Sequence, residues 1–135
     1  MSRSERDGFQ ELLVWQKARH LTRAIYESSR DSALGRDLGL ASQMQRAAVS
    51  IMANVAEGSE RGPREFARFL SIAQGSCAEL RSHLVVANDI GYLNTSGFET
   101  LDNMAVEIGR MLAGLRASVI RRIDSSNTSR ESIDK

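Results

Sequence analysis

The sequence has few of the residues that would indicate a disulfide, a metal site or a membrane segment. Its single cysteine, Cys77, excludes an intrachain disulfide and a zinc site built from several cysteines. No apolar run approaches the length of a transmembrane helix. The polar start MSRSERDGF lacks the apolar stretch of a secretory signal. We therefore expect a cytoplasmic protein that has no membrane partner.

Proline is nearly absent, and the charges of the two signs almost cancel. One proline in 135 residues, with little β-branched alternation, predicts long helices separated by short turns. The 18 Lys and Arg and the 17 Asp and Glu give a net charge of +1. This balance provides no overall electrostatic reason to expect nucleic acid, so such a reason must come from local clusters. The length fits one domain, and the 41% of hydrophobic residues fits a packed core.

Apolar residues recur at helical spacing in the first half of the chain. They predict a first helix over about residues 10–29 and a second helix over about residues 36–58. Gly58 suits the left-handed cap that often ends a helix. The two apolar stripes are Val14, Ala18, Leu21 and Ile25, then Leu40, Met44, Ala47, Ile51 and Val55.

The second half of the chain carries two stripes with heptad spacing, in steps of four and three residues. They predict a third helix that begins at Pro63, a favourable first helical residue, and stops at Gly91. A fourth helix follows, opened by a capping box of Ser96 and Glu99, and it ends near Ile123. The two stripes are Phe66, Leu70, Ala73, Cys77, Leu80, Leu84 and Ala87, then Phe98, Leu101, Ala105, Ile108, Leu112, Leu115 and Val119.

Four amphipathic helices joined by short loops predict an all-α fold, an antiparallel up-down-up-down four-helix bundle over residues 9–123. Residues 1–8 and 124–135 are polar without a stripe, and we expect them to be disordered. Apolar residues outside the stripes exceed what one bundle core needs, which favours self-association over a broad core face with ordinary exposed side chains. This surplus is Trp15, Phe69, Val85, Val86, Ile90, Met104 and Met111.

No constellation of residues indicates catalysis or a metal. His20 and His83 fall outside the Glu-x-x-His spacing that a di-iron site in a four-helix bundle needs. Glu79 and His83 are one helical turn apart, but they supply only two ligands. Cys77 lies in an apolar stripe, so we expect a buried thiol rather than a nucleophile. The expectation is a protein that is not an enzyme and has no cofactor.

A line of polar residues follows the second helix beside its apolar stripe. Its members recur at three- and four-residue steps and therefore share one helix face, with Ser76 and Glu79 of the third helix expected opposite. Two interpretations stay open: a hydrogen-bond network that fixes the register of the helices, or a surface that meets a protein partner. The line consists of Gln43, Arg46, Ser50, Asn54 and Glu57.

Arg61, Arg64 and Arg68 recur on one face at the start of the third helix. Arginine matches phosphate with two parallel hydrogen bonds, so such a cluster suits nucleic acid. Glutamates lie among the arginines, and mixed charges at these spacings also fit a solvated face with weak ion pairs. A closed ring of subunits would repeat the cluster around one axis, and the positive electrostatic fields of the clusters would then add. A second basic group lies on the first helix, at Lys17, Arg19 and Arg23.

Three segments, FQELLVWQKARHL, SQMQRAAVSIMANVAEG and REFARFLSIAQGSCAEL, are followed by a turn from Asp89 to Tyr92. In this order and spacing they resemble the four-helix-bundle family named for proteins encoded in 23S rRNA intervening sequences. The resemblance covers about residues 9–119. Two positions depart from it: the family usually has proline where Met52 stands and a second basic residue where Gln45 stands.

The resemblance implies a homopentameric ring that is not an enzyme. The family is similar to the accessory protein of diversity-generating retroelements, a barrel-shaped homopentamer that has a basic surface and associates with nucleic acid and a reverse transcriptase. The partners implied are further copies of this chain, RNA or DNA, and a reverse transcriptase or another protein. The residues expected on the basic surface are Arg46, Arg61, Arg64 and Arg68.

The alternative is a structural or adaptor module. Such a module would dock a protein partner through the polar helix face, without nucleic acid. The residues expected on that face are Gln43, Ser50, Asn54, Glu57 and Glu79.

Overall fold

The part of the chain that the structure describes consists of helices joined by short turns, which confirms the all-α prediction. A computed structural model describes residues 8–134, with side-chain surroundings for residues 8–128. Within this part there is no strand, and no helix has the length and apolarity that crossing a bilayer requires. A short 3₁₀ turn, Gly8–Glu11, precedes five α-helices in the same part. They are α1 (Leu13–Ser29), α2 (Ala33–Arg36), α3 (Leu38–Ser59), α4 (Pro63–Asp89) and α5 (Thr95–Asp134).

The four predicted stripes form one buried core between the long helices. Every member is buried except Leu40, Phe66, Phe98 and Leu115, which are partly buried against the core. Fully burying an aliphatic side chain contributes about 1.5–3 kcal/mol, so these stripes account for most of the drive to fold. Helix α4 packs between α3 and α5, and α1 packs against the same two helices.

Hydrogen bonds between α4 and α5 fix the register of the two helices. Arg116 Nε donates to the carbonyl oxygen of Ala67 at 3.2 Å. Arg81 Nε donates to Asp102 Oδ1 at 2.9 Å. The later of the two bonded residues on α4, Arg81, thus pairs with the earlier of the two on α5, Asp102.

The surplus apolar residues divide into exposed, buried and partly buried side chains. Val85 and Val86 on α4 and Ile90, which follows its last residue, are 47%, 44% and 52% exposed, so the core of one chain does not use them. Phe69 is buried. The remaining three are partly buried against the core, and they are Trp15, Met104 and Met111.

The start of α5 differs from the prediction, while the stop of α4 at Gly91 is confirmed by its positive φ of 83°. The predicted capping box of Ser96 and Glu99 is wrong. Asn94 Oδ1 accepts a hydrogen bond from the backbone N–H of Gly97 at 2.7 Å, so Asn94 is the cap. Asparagine and serine cap helices about equally well, and here the earlier residue takes the position.

Gly58 is not the left-handed cap that the sequence predicts. It lies inside α3, which continues to Ser59, and it is buried. A Cβ atom at this position would lie only 2.6 Å from the Cβ of Phe69. The glycine therefore permits the end of α3 and the start of α4 to approach closely, which a larger residue would prevent.

Helix α5 continues where the sequence predicts a disordered tail over residues 124–135. The segment lacks an apolar stripe, but the chain has no glycine or proline after Gly114, so no residue in it breaks a helix. Because Arg116 bonds to Ala67, one turn after Pro63, α5 passes the start of α4 near residue 120. At about 1.5 Å per residue, its described remainder extends roughly 20 Å further. Residues 1–7 and Lys135, which belong to the predicted disordered termini, lie outside the described residues.

Candidate functional site

Two of the predicted arginines lie over the same aromatic ring where α3 turns into α4. The guanidinium carbon of Arg68 lies 4.7 Å from the ring centroid of Phe69, and that of Arg61 lies 5.3 Å from it. The negative face of a phenyl ring attracts a cation at these distances. Because Phe69 itself is buried, the ring fixes the position of both guanidinium groups at the surface.

Each of these arginines also pairs with a glutamate. Arg61 Nη2 lies 3.0 Å from Glu57 Oε1, and Arg68 Nη2 lies 3.0 Å from Glu65 Oε2. The hydrogen bond from Arg68 lowers the pKa of Glu65, and the same bond raises the pKa of Arg68, so both groups stay charged at neutral pH. Both pairs are exposed and therefore weak, so a phosphate group can compete for the arginines.

Arg64 has no ion pair among the described residues, and it lines a cavity of about 350 Å³ between the start of α4 and the second half of α5. Arg122 of α5 lines the same cavity. Two guanidinium side chains from different helices thus border one space. We call the surface formed by Arg61, Arg64 and Arg68 the arginine end. The rest of the cavity lining is Gly62, Pro63, Glu65, Ile123, Ser126 and Asn127.

Arg46 lies apart from the arginine end. It is exposed on α3, about 18 Å along the helix axis from Gly58 at 1.5 Å per residue. The structure therefore brings together three of the four predicted arginines and leaves the fourth on the polar line.

Part of the polar line forms a hydrogen-bond network between α3 and α4. Ser50 Oγ and Ser76 Oγ lie 2.7 Å apart. Asn54 Nδ2 donates to the carbonyl oxygen of Ser50 at 2.8 Å and to its hydroxyl at 3.1 Å. The bond between Ser50 and Ser76 joins the two helices, as the interpretation of a network that fixes register requires, and Asn54 holds Ser50 from the same helix.

The other members of the predicted polar face do not join this network. Glu57 pairs with Arg61, and Glu79 lies 3.5 Å from His83 on its own helix. Gln43 is exposed and has no hydrogen bond to a described residue. Two members of the predicted polar face, Ser50 and Asn54, are therefore bonded in one network with Ser76, and the other three are separate exposed groups.

The basic group on α1 has neighbours of its own. Lys17 Nζ lies 2.8 Å from Glu107 Oε1, and Arg23 Nε lies 2.9 Å from Glu27 Oε1. Arg19 lies over a tryptophan ring, with its guanidinium carbon 5.9 Å from the centroid. This group resembles the arginine end in its local pairing, but the described cavity that Lys17 lines, with His20, Met104, Glu107 and Ile108, has no arginine in its lining.

The buried thiol has the surroundings of a packing residue. Cys77 Sγ lies 3.1 Å from the carbonyl oxygen of Ala105, and burial raises the pKa of the Cys77 thiol. A raised pKa keeps the group as the unreactive thiol at neutral pH. Across the part of the chain that the structure describes, no three His, Cys, Asp or Glu side chains come close enough to hold a metal ion.

Sequence reasoning missed Arg122 as a member of the site. The residue lies far from Arg64 in the chain, so no local spacing links the two. The available signal is the pairing of the two heptad stripes: aligning them in opposite directions places the residues after Val119 beside Pro63.

Comparison with known proteins identifies the family. The sequence pattern of the 23S rRNA-intervening sequence protein family matches residues 10–114 of this chain. The chain belongs to this family. No curated protein matches the sequence. The family pattern ends at residue 114, so the arginine end lies inside the matched part and Arg122 lies beyond it.

A solved structure shows the same fold. It is a protein of unknown function from the S23 ribosomal protein family, from Bacteroides thetaiotaomicron. The TM-score is 0.71 at 21% sequence identity, and the match covers 77% of this chain and 98% of that one. At this identity the likeness shows the fold alone.

Proposed function

We propose that this member of the 23S rRNA-intervening sequence protein family is a non-enzymatic, self-associating helical bundle that binds RNA or DNA through its arginine end. The observation that carries the proposal is the pair of guanidinium groups over Phe69, beside Arg64, which has no ion pair among the described residues. Guanidinium groups match phosphate oxygens in geometry and give affinity that does not depend on base sequence.

The bundle in this proposal is antiparallel, with an up-down-up-down order of its long helices. The order of the bonds between α4 and α5, Ala67 with Arg116 and then Arg81 with Asp102, supports that topology. In this arrangement the turn between α3 and α4 lies at one end of the bundle, beside the second half of α5. Arg61 of the turn, Arg64 and Arg68 of α4, and Arg122 of α5 then lie at the same end of the bundle.

Self-association is supported by the exposed aliphatic side chains at the C-terminal end of α4 and directly after it. Val85, Val86 and Ile90 are not part of the core of one chain, and burying them between copies would be favourable. The homopentameric ring, the cytoplasmic location and a reverse transcriptase as protein partner rest on the expectations from the sequence and on the family resemblance. Light scattering at micromolar concentration tests the ring: a mass of about five chains is expected, and the mass of one chain would reject it.

The nucleic-acid role is tested by charge reversal. We expect a protein with Arg61→Glu, Arg64→Glu and Arg68→Glu to bind an oligonucleotide at least about tenfold more weakly than the wild type in filter binding. The matched control reverses Arg19, Arg23 and Arg30 of the α1 region, which changes the net charge equally. Circular dichroism shows whether both variants keep the helical fold. Absent or salt-independent binding by the wild type, or equal losses in both variants, would reject the role of the arginine end.

A protein-docking role for the polar line of α3 is the second candidate. The observation that favours it is that Gln43 and Arg46 are exposed on α3 without a hydrogen bond or ion pair to any described residue. Arg46→Glu would then release a partner that co-purifies in fixed proportion, while the charge reversals at the arginine end would retain it. A purified sample with one such partner and no nucleic acid would favour this candidate.

A further inference from the structure

We propose that the cavity between the start of α4 and the second half of α5 is a binding site for one phosphate group of a nucleic-acid strand. The inference rests on the proposed function, because it specifies a single contact point next to the arginine end. Its ligand class is a phosphate ester that carries a sugar, rather than a free carboxylate or a protein segment.

The charges around the cavity favour an anion. Arg64 and Arg122 line it from two helices, and neither has an ion pair among the described residues. Glu65 is the one carboxylate in the described lining, and its Oε2 accepts a hydrogen bond from Arg68 at 3.0 Å. The carboxylate is thus already matched by a third arginine, which leaves two guanidinium groups for a ligand. Guanidinium groups bind phosphate through parallel N–H donors.

The other lining residues suit the sugar beside the phosphate. Ser126 and Asn127 supply a hydroxyl and an amide that can bond to phosphate or sugar oxygens. Pro63 and Ile123 supply apolar surface on the other part of the lining. A volume of about 350 Å³ accommodates more than a bare anion, and it falls within the size range of small-ligand clefts.

The site depends on the part of α5 that lies outside the family match. The family pattern ends at residue 114, whereas Arg122, Ser126 and Asn127 follow it. The bond between Arg116 and Ala67 fixes this later part of α5 against α4. The cavity is therefore a property of this chain that the family match does not itself contain.

Arg121 offers a matched control for Arg122. The two residues are adjacent on α5, both are exposed, and both carry the same charge. Because successive residues lie about 100° apart around an α-helix, only one of them points to the cavity, and Arg121 is not part of its lining. Replacing either by glutamine removes one charge from the same region.

The experiment measures oligonucleotide binding by both variants as a function of salt. We expect Arg122→Gln to weaken binding about fivefold or more and to reduce the slope of log affinity against log salt by about 1. Arg121→Gln is expected to change affinity less than about twofold, since its exposed charge does not border the cavity and is screened by solvent and salt. Equal losses in the two variants, or no loss in Arg122→Gln, would overturn the cavity site.

Oligonucleotides with and without a 5′-phosphate distinguish the two sources of the phosphate. A loss in Arg122→Gln with both probes assigns the site to an internal phosphodiester, and a loss confined to the phosphorylated probe assigns it to a terminal phosphate. If Arg122→Gln binds like the wild type while the triple variant of the arginine end does not bind, the cavity site fails and the proposed function stands. If the wild type binds neither probe, both fail.

Discussion

Arg116 donates a hydrogen bond from Nε to the carbonyl oxygen of Ala67 at 3.2 Å, and this bond ties α5 to the first turns of α4. From that point α5 advances toward Arg122 while α4 runs back toward Arg64. The two arginines therefore meet at one cavity although the sequence separates them widely. The register of two helices thus determines which charges come together.

Removing this bond is expected to destabilise the fold. Arg116→Met keeps the length of the side chain but loses the donor, and a lost hydrogen bond of this kind costs about 1 kcal/mol in the free energy of unfolding. Arg110→Met is the control, because Arg110 is exposed on the same helix and has no described partner. Unfolding in guanidinium chloride at fixed protein concentration measures the free energy of unfolding of both variants. A loss as large in Arg110→Met would contradict the role of the Arg116 bond.

Gly58 and Gly114 are expected to respond to alanine in opposite directions. At Gly58 the added Cβ would lie 2.6 Å from the Cβ of Phe69, so Gly58→Ala should cost about 1–3 kcal/mol through overpacking. At Gly114 nothing lies within 4 Å, so Gly114→Ala should stabilise α5 by about 0.5–1 kcal/mol. Thermal or chemical unfolding compares the two variants. Stabilisation by both would mean that α3 and α4 can separate at no cost.

Glu65→Gln is expected to strengthen nucleic-acid binding. The substitution removes the carboxylate from the cavity lining and releases Arg68 from its ion pair, so a third guanidinium group becomes available to phosphate beside Arg64 and Arg122. Glu60→Gln is the control for net charge, because Glu60 is exposed and lies in the turn between α3 and α4, just before Glu65 in the chain. We expect a gain of about threefold or more over that control at low salt, and a smaller gain as salt screens the charges. Equal gains in the two variants would show that the change in net charge, rather than the loss of the Glu65 carboxylate from the cavity, increases the affinity.

The bond between Tyr92 and Asp37 makes stability depend on pH at the alkaline end. The Tyr92 hydroxyl donates to Asp37 Oδ2 at 3.0 Å, and this bond raises the pKa of Tyr92. A raised pKa means that the folded state holds the phenol proton more tightly than the unfolded chain does. The stabilisation is therefore complete below the ordinary tyrosine pKa of about 10, and it is lost as pH rises through the higher folded-state value.

Tyr92→Phe, which cannot make this bond, serves as the reference for that dependence. At about pH 8 the wild type should have the higher midpoint of unfolding, and the difference should shrink at alkaline pH beyond the folded-state pKa of Tyr92. Unfolding curves of both proteins over this range provide the measurement. A difference that stays constant to the most alkaline condition would show that the bond does not hold the phenol proton.

The long helices could be predicted from the sequence because their apolar stripes follow the helical period directly. The predictions that were wrong, at Gly58 and at Ser96, concern positions that depend on contacts beyond the local sequence pattern. Gly58 is of the residue type that often caps a helix, but its burial against Phe69 arises only when α4 packs against α3. Asn94 and Ser96 compete for the same capping position, and spacing alone does not rank them.

The candidate site was predictable to the extent that its residues share one helix face. Arg61, Arg64 and Arg68 come together because they lie within two turns. Arg46 was grouped with them by type and family position, yet helix geometry places it about 18 Å away along the axis. Arg122 required the register of α4 against α5, which local spacing does not contain.

Hydrogen exchange of the wild-type protein, with and without a saturating oligonucleotide, tests most directly that the arginine end is the nucleic-acid surface. We expect slower exchange over residues 59–68 and 115–128, with α1 and α2 unchanged, since bound phosphates cover the start of α4 and the adjoining part of α5. Protection confined to α1 and α2, or no protection while the strand is bound, would contradict it.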